Sequence, residues 1–196
     1  MKTFKPLFLC LSANLITGCT VVRETLPERT ATEQLMLSYA VRASVQGMNL
    51  KLVNGRSVFL DTTNLKSVDQ EFAVGELRAA LLKAGARLMD EAGQAELIVE
   101  ARSATLGIDQ RTTAFGVPAI PLPIPAVGIV QTPELSILKN QRQDGLSGLA
   151  LTGRERATGA HVFSFDPVIG KTIKSDWRFL GFPLIRTRDQ LPKDMD

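Results

Sequence analysis

Leu37, Ala40, Val41, Val45 and Met48, with Ser44 among them, recur at three- and four-residue spacing. That spacing predicts an amphipathic helix. Thr30-Ala31-Thr32-Glu33 ahead of it is a capping-box pattern, in which Thr30 caps and Glu33 reaches back; Gly47 marks the end. Asn54-Gly55 is a tight-turn signal, and Arg56 to Asp61 is a short apolar run suited to a buried strand. A second capping pattern, Ser67 with Gln70, opens a helix whose stripe is Phe72, Ala73, Leu77, Ala80, Leu81 and Ala84, closed by Gly85. Ala86 to Met89 then reads as a short strand, which makes a βαβ unit of the two runs and the helix between them.

From Ala95 to Ile108 the pattern alternates, with Leu97, Val99 and Ala101 on one side and Glu100 and Arg102 on the other. This is a long strand with one solvated face. Leu146–Arg156 and Ala160–Phe165 flank Ala157-Thr158-Gly159 and form a hairpin. Beyond Pro167 the period disappears, and residues 189–196 read as a polar tail. The expected fold is α+β: one domain over residues 30–188, a mixed β-sheet with two helices on one face.

The N-terminus has a different character. Lys2 and Lys5 precede an eleven-residue apolar stretch, Pro6–Ile16, too short to cross a hydrocarbon core of ~30 Å as a helix. It ends in Ile16-Thr17-Gly18-Cys19, which resembles the lipobox of bacterial lipoproteins. The resemblance implies that residues 1–18 are a cleaved signal peptide, that Cys19 is lipidated, and that residues 19–29 are a tether to the membrane. Thr20, where a retained enterobacterial lipoprotein has Asp, implies the outer membrane, facing the periplasm.

Composition narrows the chemistry. The chain has 196 residues, 44% apolar and 22% charged, with one His, one Trp and two Cys. No zinc site of three or four Cys/His ligands can be built from that inventory, and no metal or cofactor is expected. Removing Lys2 and Lys5 from the 23 basic residues leaves 21 against 20 acidic ones, so nucleic acid is not indicated as a partner. Gly170-Lys171-Thr172 lacks the earlier Gly of a phosphate loop, since Phe165 stands there, and reads as a surface turn. His161 has no nucleophile-elbow pattern to serve. Asp61-Thr62-Thr63-Asn64 follows a strand, where ligand sites occur, but its residues are those that turns prefer. No catalytic residue is assigned, and the chain is read as non-enzymatic.

The most unusual stretch is Thr112 to Pro133, which carries no charge. Pro118, Pro121, Pro123 and Pro125 exclude a membrane helix and a central strand, leaving an extended, polyproline-like loop. Phe115, Ile120, Leu122, Ile124 and Ile129 are its candidate partner-binding residues. Two uses fit: docking on an envelope partner, a second copy or the lipid surface, or folding back over the domain's own sheet. Trp177 to Ile185 is aromatic-rich; it is expected in the core, with a sugar-stacking platform as the rival.

Thr32-Glu33-Gln34-Leu35, Val58-Phe59-Leu60-Asp61 and the Gly/Pro/Ile-rich stretch from Phe115 to Val130 resemble a family of small bacterial lipoproteins without an assigned activity. The resemblance spans most of residues 30–185. More distantly, the strand–helix–strand–long strand order is similar to the periplasmic domains of curli-secretion-channel and penicillin-binding-protein-activator lipoproteins, a likeness of layout only. The expected function is an interaction or assembly subunit of the envelope. The alternative is a peptidoglycan-binding module or hydrolase using Trp177 and an acid such as Asp61.

Overall fold

The computed structural model describes residues 29–67, 70–117, 119–125 and 128–191. Cys19, the expected signal peptide and the tether up to residue 28 lie outside them, as do residues 192–196 of the expected tail. The described chain runs α1 (Ala31–Gln46), a 3-10 turn (Leu50–Val53), β1 (Ser57–Asp61), α2 (Gln70–Lys83), β2 (Arg87–Leu88) and a second 3-10 turn (Ala92–Gln94). It continues through β3 (Leu97–Val117), β4 (Pro121–Ile124), β5 (Gly128–Gln131), β6 (Leu135–Glu155), β7 (His161–Phe179) and β8 (Phe182–Asp189).

Among the described residues six strands form one mixed sheet, in the order β2-β1-β3-β6-β7-β8, and β4 pairs with β5. β1 is parallel to β2 and β3, as a βαβ unit requires; every later pairing is antiparallel. The fold is a single α+β domain with a mixed sheet and two helices. Leu97, Val99 and Ala101 are fully buried with Val41 and Val45 of α1 and Leu77 and Leu81 of α2. One face of the sheet therefore carries both helices. Phe72 falls outside the buried stripe of α2 and is exposed.

Helix α1 lies very close to the sheet because small residues let it. A Cβ added at Gly170 would meet the Ala40 carbonyl oxygen and the Ser44 backbone nitrogen. The polar groups trapped in this contact are satisfied: Thr172 Oγ1 donates to the Met36 carbonyl (3.0 Å), and the Ser44 and Ser147 hydroxyls share a hydrogen bond (3.0 Å). Gly170-Lys171-Thr172 is thus the middle of a strand under a helix, not a surface turn.

The three long strands outrun the expected lengths. At 21, 21 and 19 residues, β3, β6 and β7 continue well past both helices. Pro167 does not end the order of β7. It sits in a bulge, where Leu149 pairs with Val168 and Leu151 with Phe165, so Asp166 and Pro167 face the single residue Ala150. An extra residue inverts the in/out phase without breaking the strand, and a bulge is where a sheet tolerates proline. The alternation that vanishes at Pro167 is shifted, and the chain goes on to Phe179, turns at Leu180-Gly181 and returns as β8.

The uncharged stretch is likewise not a polyproline loop. Thr112–Val117 is the end of β3, and Pro121–Ile124 pairs with Gly128–Gln131 as a ribbon. The Thr132 amide donates to the Ile120 carbonyl (3.0 Å), and the Ile120 amide to Thr132 Oγ1 (2.9 Å). Residues 120, 122 and 124 thereby take the bonding positions. Pro121 and Pro123 fall between them, with their nitrogens turned away from β5, where a missing N–H costs the ribbon nothing.

Candidate functional site

Residues paired across neighbouring strands share a face, so the register sorts the far half of the sheet into rows. On the face opposite the helices four rows succeed one another toward the end of the strands. Asp109, Asp144, Ile173 and Asp189 form the first; Arg111, Arg142, Ser175 and Thr187 the second; Thr113, Asn140, Trp177 and Ile185 the third. The last is Phe115, Leu138, Phe179 and Phe182. Polarity therefore falls along the strands, from an acidic row through a basic one to an apolar, mostly aromatic one.

No helix among the described residues covers that last row. Phe115 is 74% exposed and Phe182 75%, and Phe179, Leu184 and Ile185 are exposed as well. The expectation that Trp177 to Ile185 packs into the core is overturned. The segment is apolar, but Phe179, Phe182 and Ile185 face away from both helices, and their exposure shows that no other described element covers that side of the sheet. Trp177 itself is half-buried.

The candidate partner-binding residues of the uncharged stretch lie at the same end. Phe115 lies two residues from the end of β3; Ile120 precedes β4, Leu122 and Ile124 lie on it and Ile129 on β5, all exposed. Of the two uses open to this stretch, folding back over the domain's own sheet is not what its described residues do: Phe115, Ile120, Leu122, Ile124 and Ile129 are all exposed. The structure adds Leu138, Phe179, Phe182 and Ile185 to the expected residues. Three aromatics within Trp177–Phe182 were a visible signal, but only the β6–β7 register sets them beside Phe115.

The helix-side face of the same rows is polar. Lys139, Arg178 and Arg186 stand there with Asp176, which accepts from Arg188 Nη1 (2.7 Å). Lys139 Nζ bonds both Glu134 carboxylate oxygens (3.0 and 2.9 Å), and that bond holds the Glu134 carboxyl below its usual range. Thr32, at the start of α1, lines a depression with Asp176, Arg178, Pro183 and Arg186. The first turn of the domain thus sits beside the polar side of the extension.

The other candidates lie far from this end. Asp61 Oδ1 accepts from the Thr63 amide (3.0 Å) and hydroxyl (2.6 Å), a closed turn that lowers the carboxyl's pKa. His161 Nε2 meets Ser164 Oγ (2.9 Å), whose hydroxyl donates to Thr152 Oγ1 (3.4 Å), a chain on an exposed strand that contains no acid. A cleft of about 520 Å³ between α1 and α2 is crossed by the Arg42–Glu76 ion pair (3.1 Å). Among the described residues no group of three His, Cys, Asp or Glu side chains could hold a metal ion.

The model described as "Family of unknown function (DUF6655)" matches residues 15–185. The chain belongs to this family. Comparison with curated proteins gives no match. In this DUF6655 chain the matched span includes the rows that hold Ile185 and Phe182, so the apolar end lies within the family's domain. No helix among the described residues is long and apolar enough to cross a membrane.

Proposed function

We propose that this DUF6655 protein is a lipid-anchored protein of the cell envelope, most consistent with the periplasmic side of the outer membrane, that works by binding and not by catalysis. Its working surface is the apolar end of the sheet. The observation that carries the reading is the row Phe115, Leu138, Phe179 and Phe182, extended by the β4–β5 ribbon and left open by the fold. Monomeric proteins rarely expose a contiguous apolar patch of this kind unless something else covers it. Support for the anchor comes from Ile16-Thr17-Gly18-Cys19 behind a short apolar stretch, with Cys19 as the lipidated residue. Two points of attachment, a lipid and a protein surface, raise the effective concentration of any neighbour in the same layer.

The test is fractionation of cells fed labelled palmitate. The parent chain should carry label and sediment with membranes, and Cys19→Ala should carry none. A chain with Phe115, Ile129 and Phe182 all replaced by Ser should keep its label but leave the membranes under milder extraction than the parent. An unlabelled, unsedimented parent would overturn the anchor. Identical extraction of parent and triple variant would overturn the working surface.

A further inference from the structure

The proposed function leaves open what covers the apolar end. We propose that it is the lipid layer itself: the end of the sheet enters the headgroup and upper acyl region of the membrane that holds the N-terminal anchor. The inference rests on the anchor reading above, and three observations select lipid over a protein partner.

The first is where the domain begins. Thr32 lines the depression formed with Arg178, Pro183 and Arg186, one register step behind the Phe179–Phe182 row. Eleven residues separate Cys19 from Ala31, and the twelve steps between them span at most ~40 Å fully extended. A lipid on Cys19 is therefore tethered to the same end of the domain that carries the exposed aromatic side chains.

The second is charge. Behind the apolar row, on both faces, stand Arg111, Arg142, Lys139, Arg178 and Arg186, against Asp176 in those rows, Glu134 bound to Lys139 and Asp144 bound to Arg142, so basic side chains outnumber acidic ones. Aromatic rings backed by Arg and Lys match a membrane boundary, where rings take the headgroup level and long basic side chains reach phosphate. Anionic headgroups attract each basic residue held near the surface.

The third is the backbone. Pro121 and Pro123 remove two outward-facing donors from the β4 edge, and Pro183 removes one from β8. An unpaired N–H is strongly disfavoured in hydrocarbon, and a free edge invites strand addition by another chain. Prolines lessen both at this end. The remaining edge groups still need water or headgroups, which keeps entry shallow and rules out a span.

Trp177, the chain's one tryptophan, sits two residues behind Phe179 on the same face, ~7 Å along the strand, and reports directly on depth. The experiment uses the full chain with vesicles of phosphatidylethanolamine and phosphatidylglycerol brominated near the top of the acyl chains. The expected result is quenching of Trp177 relative to unbrominated vesicles. Replacing Phe115 and Phe182 by Ser should abolish that quenching while the chain still pellets; both are exposed, and an unchanged urea midpoint shows the variant folded. A chain that pellets with Trp177 unquenched overturns the lipid contact and leaves the anchor standing; self-crosslinking in that state would name a second copy as the occupant. Quenching in a chain whose mass shows no acyl group upholds the lipid contact and overturns the anchor. Neither pelleting nor quenching overturns both.

Discussion

Phe115 and Phe182 stand at the two ends of one row on the uncovered face of the sheet, joined by the pairings of Leu138 and Phe179 between them. Both rings point into open space. A row of apolar side chains with no helix over it contributes little to folding, because what removes it from water is not part of the domain.

That separates the row from the core in a denaturation experiment. Phe115→Ser and Phe182→Ser should each change unfolding free energy by no more than about 0.5 kcal/mol, the usual span for surface sites. Leu97→Ala and Leu149→Ala, at fully buried positions, should each cost about 2–5 kcal/mol. Urea titrations of the four variants check this; a core-sized loss at Phe115 would mean the row is packed within the molecule.

The seat of α1 gives a second contrast. Gly170→Ala sets a methyl group against the Ala40 carbonyl and the Ser44 nitrogen, and should cost about 1–3 kcal/mol by overpacking. Gly75→Ala, in the middle of α2 with nothing near its Cβ position, should stabilise by up to about 1 kcal/mol through helix propensity. The same substitution thus acts with opposite signs, readable as opposite shifts of the urea midpoint.

Asp61 gives a pH dependence. Its side-chain and backbone bonds from Thr63 favour the ionised form, so the folded carboxyl titrates below the unfolded value of about 3.9. The unfolded chain then binds more protons in that window. The contribution is present in full above about pH 4 and is lost as pH falls through the folded pKa. The stability difference between the parent and Asp61→Asn should therefore shrink on acidification; a difference that widened toward low pH would reverse the sign argued here.

Asp61 and Trp177 do not share a site. Asp61 pairs with Glu100, and Trp177 lies in the row of Thr113, roughly 40 Å farther along β3 at ~3.3 Å per residue. A hydrolase built from the two is geometrically closed. Pelleting of the protein with isolated peptidoglycan should be the same for the parent and Trp177→Ala, and loss of pelleting in the variant would restore a wall-binding platform.

What was legible in the sequence was whatever local pattern controls. The stripe Leu37–Met48, the β1 run and the alternation of Leu97, Val99 and Ala101 each became the expected element, because a period of 3.6 or 2 reports which face is buried. Two kinds of feature were hidden. The bulge at Asp166-Pro167 shifts the phase of β7, so a continuous strand reads as the end of order. Burial of Phe179, Phe182 and Ile185 depends on whether anything covers the face of the sheet turned away from both helices, which their own sequence does not encode. The prolines of the uncharged stretch spoke correctly against a helix; that alternate positions of a ribbon need no donor was the missing step toward the β4–β5 hairpin.

What surrounds the apolar end in the cell decides its role, and photocrosslinking there is the most direct measurement. A photoreactive residue at Leu122, on the β4 arm, is compared with one at Leu52, an exposed leucine near the helices. The account predicts an adduct to membrane lipid from Leu122 and none from Leu52. Links from Leu122 confined to the chain's own β1–β3 face, or equal lipid labelling at both positions, would contradict it.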